Sequence, residues 1–141
     1  MNLSERNFSM RMHCTYEGET NAVAGLVVEH LVEEQWQPLD LGLTAPGFDI
    51  FVYAVFTCQH LYFRTNCAER GLLLHSAEGR IAVGADADWN MEILQVDFTG
   101  RLGRGRASQD DIDYIVARMN QCPVSRNLRA IPDARSSIIL T

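Results

Sequence analysis

The run IFVYAVFTCQHLYF, from Ile50 to Phe63, constrains this chain more than any other segment. A helix that crosses a bilayer needs about 20 consecutive apolar residues, and this run is shorter and is interrupted by Gln59 and His60. It therefore reads as a helix buried in protein. TAPGFD supplies a turn before it, Asp49 is placed to be its N-cap, and Gly71 stands where a C-terminal glycine cap belongs. The expected helix runs from Ile50 to about Arg70. Its first half is apolar nearly all the way round, so protein must lie on most sides of it. A small chain has little material to supply that cover, and an intertwined homodimer is the expected remedy.

Length and composition set the outer bounds. With 141 residues, 47% of them apolar and 21% charged, the chain is expected to form one domain spanning 1–141. Its net charge of −6 argues against nonspecific binding to nucleic acid or to an anionic membrane surface, because both require clustered cations. Every basic side chain is arginine. Arg101, Arg104 and Arg106 in GRLGRGR could meet a phosphate, but a solvated loop between strand and helix accounts for them as well. The segment MNLSERNFSMRMHC lacks the pattern of an export signal, so a cytoplasmic location is expected. Four cysteines in such a compartment point to reduced, buried or catalytic thiols instead of a disulfide framework.

Periodicity supplies the remaining elements. Phe8, Met10, Met12 and Cys14 alternate with Ser9, Arg11 and His13, the pattern of a half-buried strand. VAGLVVEHLV is rich in β-branched residues and reads as a second strand. LLLHSAEG, RIAVGADADW and MEILQVDFTGRL read as a meander of three strands, divided at Glu78-Gly79 and at DADWN. Ser108 caps an amphipathic helix that carries Asp110 and Asp111 in its first turn and a stripe of Ile112, Ile115, Val116 and Met119. RSSIILT closes the chain as a strand. Strands, a long helix, strands, a helix and a strand make an α+β protein with mostly antiparallel pairing.

Two cysteines carry the possible chemistry. Cys122 precedes a proline in QCPVSRNL; proline suits the first position of a helical turn, so Cys122 is placed as an N-cap whose sulfur meets unpaired backbone N–H groups. Thiolate is favoured there, and thiolate attacks peroxides, disulfides and electrophiles. Cys58 lies in line with Ala54, Val55, Leu61 and Tyr62, an apolar setting that disfavours ionisation unless a cation or a partner sulfur compensates. Cys67 and His60 fall about 160–200° round the helix from Cys58, so these three make neither a disulfide nor a metal site. Cys14 reads as a core residue. Asp49 has two open roles, capping the helix or holding a cation near a reactive sulfur. No metal or cofactor is expected, and no phosphate-binding glycine motif or serine triad is present.

The apolar helix with a mid-helix cysteine, DIFVYAVFTCQHLYF, and the later CPVS-type motif in RMNQCPVSRNL resemble the OsmC/Ohr family of osmotically inducible and organic hydroperoxide resistance proteins. The resemblance runs from about residue 8 to the C-terminus. It implies an OsmC-like α+β fold, with antiparallel sheets around a central helix, in an intertwined homodimer whose active sites lie at the interface. It also implies thiol peroxidase chemistry: Cys58 attacks an organic hydroperoxide and becomes a sulfenic acid, Cys122 condenses with it, and a dithiol reduces the resulting disulfide. Phe51, Val55 and Tyr62 would line the substrate pocket, with Asp49 as a supporting carboxylate. The resemblance thus assigns the attack to Cys58, whereas the residues alone mark Cys122 as the activated sulfur. Family peroxidases carry an arginine in the turn after the first strand; here that turn reads TYEGETNAVAG, leaving Arg11 and Arg64 as the available cations. The alternative is a protein that keeps this fold, has lost the arginine and binds a small ligand with little or no peroxidase activity.

Overall fold

The structure is a computed structural model in which residues 4–128 and 131–141 are described. Its first strand, β1 (Arg6–Glu17), buries Met10, Met12, Cys14 and Tyr16 on one side and turns Arg11 and His13 outwards, as the period-2 pattern requires. It pairs antiparallel with β2 (Ala22–Val32), which in turn pairs with the short β3 (Gln35–Pro38). β4 (Leu73–Ala85) lies antiparallel on the other side of β1, followed by β5 (Met91–Arg104). The last strand, β6 (Asp133–Leu140), runs parallel to β5, so the six strands form one mixed sheet in the order β3-β2-β1-β4-β5-β6.

One helix-bearing face covers this sheet. α1 (Gly47–Glu69) is 23 residues long and buries Val52, Val55, Phe56, Gln59, His60, Phe63, Asn66 and Cys67, a spacing of three and four that marks a single side of the helix. α2 (Gln109–Met119) packs beside it through Ile115 and Met119, and a single turn, α3 (Pro123–Arg126), follows. Ser108 caps α2 in a reciprocal box with Asp111, as its sequence requires. α1 ends as expected: Gly71 has φ +74°, its N–H donates to the Ala68 carbonyl, and the Leu72 N–H donates to the Cys67 carbonyl. Among the described residues no helix is long and apolar enough to cross a membrane.

Three expectations need correction. Asp49 is not the N-cap of α1; Pro46 holds that position and Asp49 sits in the first turn, its N–H bonded to the Pro46 carbonyl, because the helix starts one turn earlier than the apolar run. Glu78-Gly79 is not a break between strands but lies inside β4. Gly79 is needed there because the Phe98 ring crosses over it, and a Cβ would lie 2.7 Å from Phe98 Cε1 and 2.9 Å from Met12 Cγ. GRLGRGR is not wholly a loop, since β5 continues through Arg101 and Arg104.

Phe98 itself is stacked against Phe63, with ring centroids 4.8 Å apart and planes at 10°, and against Phe56, at 5.9 Å and 13°. With helix rings on its upper side and the sheet below, Phe98 has nowhere to move, so adding a methyl group overpacks the core. Gly79→Ala should lower stability by about 1–3 kcal/mol, read as a lower urea midpoint at unchanged slope.

Candidate active site

α1 carries two neighbouring residues to opposite tasks. Cys58 points off the side of the helix towards α3, half-buried, while Gln59 turns into the protein and is 2% exposed. α3 begins where the sequence places it: Cys122 is the N-cap, Pro123 the first helical residue, and the Cys122 sulfur accepts the Ser125 backbone N–H at 3.3 Å. Packing of α3 on α1 brings Cys122 beside Cys58, close enough for it to act on the Cys58 thiol. Both cysteines are reduced.

The two sulfurs differ in environment. Burial, followed by the neighbouring Cys122, pushes the Cys58 thiol up to about 11, with the Val124 backbone opposing the rise. Cys122 has no exposed surface, whereas Cys58 lines an open cavity of about 480 Å³. Val23, Leu26, Ala54, Leu61 and Val124 make most of that cavity apolar, and His60 and Arg64 add polar groups to it. Access therefore belongs to Cys58, and the Ser125 backbone N–H belongs to Cys122.

Arg64, one of the two candidate cations, does reach the Cys58 cavity. Its Nη1 donates to the Asn21 carbonyl at 3.2 Å in the turn between β1 and β2, and its charge is felt by Cys14, Tyr16 and His60. Arg11 is held elsewhere, paired with Glu29 at 2.9 Å and lying over the Trp36 ring on the opposite face of the sheet. Asn21, with φ +52°, anchors that turn from inside: its Nδ2 donates to the Arg64 and Leu72 carbonyls, both at 3.0 Å, and its Oδ1 accepts the Leu74 N–H at 2.9 Å. A buried Asn in the left-handed region, with donors and acceptor all engaged, ties the strand turn to the end of α1.

The structure separates several residues from the sulfur pair. Asp49 lies nine residues before Cys58, about 13 Å along the helix, and does not line the cavity. Val55 is fully buried in the core with Cys14 and Cys67, and neither it nor Phe51 nor Tyr62 lines the Cys58 cavity. Tyr62 borders a different depression with Arg118, Gln121 and Arg126. Cys67 is pushed up to about 12 by burial and by the Asp111 charge, and burial likewise raises Cys14.

Sequence reasoning passed over the polar groups around the pair. Gln59 Nε2 donates to Ser125 Oγ at 2.6 Å and to the Met119 carbonyl at 3.3 Å, and Gln59 Oε1 accepts from Ser136 Oγ at 3.0 Å. Ser125 Oγ in turn lies 3.0 Å from the Cys122 sulfur. The only sequence signal for this network was a pair of polar residues interrupting an otherwise apolar run. His60, the second of them, bonds through Nε2 to the Tyr16 hydroxyl at 2.7 Å, and burial followed by the Arg64 charge lowers it to about 4.

His60 is thus neutral in the fold but titrates near 6.5 when unfolded. Below that value the unfolded chain binds the extra proton, so stability falls as pH drops from about 6.5 to about 4 and the contribution is constant outside that window. The loss should reach about 3 kcal/mol. His60→Gln should flatten this part of the stability profile measured by urea unfolding.

No protein-family model matches the sequence, and none of the curated proteins matches it. Solved structures do. An OsmC-like hydroperoxide resistance protein from Jannaschia sp. CCS1 superposes with a TM-score of 0.55 at 12% identity, covering 87% of this chain and 87% of that one. An OsmC-like protein from Mycoplasma pneumoniae gives a TM-score of 0.53 at 10% identity, over 82% of this chain and 87% of that one. Through this order of strands and helices, with its long helix laid on one mixed sheet, the chain has the OsmC-like α+β fold.

Proposed function

We propose that the protein is a thiol-dependent peroxidase for organic hydroperoxides, acting through Cys58 and Cys122. The observation that carries this reading is an accessible thiol at the edge of an apolar cavity, with a second, fully buried sulfur beside it. A hydroperoxide with an apolar substituent fits such a lining, and its O–O bond can reach only Cys58. A neutral thiol is a poor nucleophile, so the proton must leave as attack begins. The open cavity supplies the route: the Cys58 proton passes to solvent while Cys58 Sγ bonds to the terminal peroxide oxygen. The O–O bond breaks, the alkoxide leaves and takes a proton from solvent, and Cys58 becomes a sulfenic acid. Cys122 then attacks the Cys58 sulfur, the S–O bond breaks, and water departs to leave a disulfide. An external dithiol restores both thiols. The likeness to a solved hydroperoxide resistance protein supports a role in peroxide stress.

The proposed assembly is a homodimer. Leu61 on α1 and Val23 and Leu26 on β2 leave large apolar side chains exposed at the same cavity, Leu61 and Leu26 both at 44%. A second copy covering this face would also close the pocket over Cys58.

Cumene hydroperoxide consumption with dithiothreitol tests the reaction. Wild-type protein should turn over, Cys58→Ser should fall to the uncatalysed rate, and Cys122→Ser should consume about one equivalent and stop with a sulfenic acid that a dimedone probe traps. Equal, slow consumption by wild type and Cys58→Ser would end the enzymatic reading. Leu61→Glu should convert a dimer to monomer in sedimentation velocity; a wild-type monomer would rule out the assembly.

A further inference from the structure

Gln59 is a buried amide whose orientation the surrounding groups decide. Its nitrogen faces the Met119 carbonyl, which can only accept, and its oxygen faces Ser136 Oγ at 3.0 Å. The remaining Nε2 hydrogen is therefore aimed at Ser125 Oγ, 2.6 Å away, and the serine oxygen acts as acceptor in that bond. A hydroxyl that has accepted there keeps its own hydrogen free for another partner. In the reduced protein the Cys122 thiol donates to Ser125 Oγ at 3.0 Å; once Cys122 has lost its hydrogen, as a thiolate or in a disulfide, the serine hydroxyl is the group that can fill this contact as donor. Cys122 also accepts the Ser125 backbone N–H at 3.3 Å, so one serine can present two donors to a Cys122 sulfur that carries no hydrogen. Cys58 receives neither, yet it alone of the two opens on the cavity.

We infer that Gln59 is a positioning residue that turns the Ser125 hydroxyl onto Cys122, making Cys122 the leaving group and Cys58 the entry point when an external thiol opens the disulfide. This rests on the proposed disulfide cycle and specifies its second half. The thiolate of the incoming dithiol bonds to Cys58 Sγ, the Cys58–Cys122 bond breaks, and the electron pair departs on Cys122 Sγ, where the two Ser125 donors hold it. The second thiol of the dithiol, ionised by loss of its proton to solvent, attacks its own sulfur in the mixed disulfide. Cys58 is expelled as thiolate and takes a proton from solvent. The dithiol is oxidised by two electrons and the protein disulfide is reduced by two. A leaving thiolate that is better stabilised leaves faster, which is what the Ser125 donors provide.

The test forms the disulfide with diamide, without peroxide, so it does not depend on hydroperoxide turnover. Glutathione, a monothiol probe, opens the disulfide; acid quenching at early times, maleimide labelling and mass spectrometry then locate the adduct. Glutathione should be on Cys58 and maleimide on Cys122; adducts mainly on Cys122, or no disulfide between the two after diamide, would overturn the inference. Gln59→Leu and Ser125→Ala should slow opening roughly threefold, with Ser125→Thr restoring the wild-type rate. In a Cys58→Ser background, Gln59→Leu should raise the Cys122 thiolate midpoint, read at 240 nm, by about one unit. An unmoved midpoint in a variant with the wild-type circular dichroism spectrum would overturn the role of Gln59. Loss of peroxidase activity with these outcomes intact would sink the proposed reaction and leave this inference standing.

Discussion

One aromatic ring sets the position of nearly everything else. Phe98 projects from the middle of β5, crosses Gly79 on β4, and is stacked by Phe63 and Phe56 from α1. Phe56 and Phe63 lie two turns apart on the helix, so gripping one ring with both of them fixes the rotation of α1 as well as its height above the sheet. Cys58 and Gln59 lie between these two phenylalanines in the chain. Once that grip is made, Cys58 must face sideways to α3 and Gln59 must face inwards, because a helix offers no freedom to turn one residue without its neighbours. The placement of Cys58 beside α3 is thus a consequence of aromatic packing.

The polar groups buried beside that packing are arranged as closed sets. Gln59 engages Met119, Ser125 and Ser136, and Asn21 engages Arg64, Leu72 and Leu74. A buried amide left unpaired costs about 1–3 kcal/mol, so each set specifies which segments meet: α1 with α3 and β6 in one, the β1–β2 turn with the end of α1 and β4 in the other. Cys14 and Cys67 occupy the apolar space between, where desolvation keeps both as thiols. The two cysteines in the core and the two at the α1–α3 junction therefore sit in different environments despite sharing one small chain.

Much of this was legible in the residues. Alternation in NFSMRMHC, the capping box at Ser108, Gly71 after the long helix and Pro123 after Cys122 each encode a local structure by a local rule, and each forms as read. The strand break expected at Glu78-Gly79 failed for a physical reason: a glycine that serves a distant ring looks, in sequence, like a glycine that serves a turn. Asp49 failed as a cap because Pro46 starts the helix a turn earlier. The residues themselves suggested Cys58 and Cys122 as a thiol pair, but no periodicity could show that segments so far apart meet. Gln59 and Ser125 were invisible as a unit for the same reason, and Gln59 registered merely as an interruption in an apolar run.

The β1–β2 turn holds the Arg64 guanidinium by a backbone carbonyl, and Asn21 holds the turn by its side chain. Charge at the cavity mouth is therefore set by main-chain geometry in a loop that contributes no residue to the hydrophobic core other than its anchor. Substitutions at Gly18, Glu19 or Thr20 can shift the mouth and its cation together without disturbing the aromatic grip or the sulfur pair. The residues that shape this opening and the packing that places Cys58 beside Cys122 are mechanically separable in this architecture, so one can drift while the other is preserved.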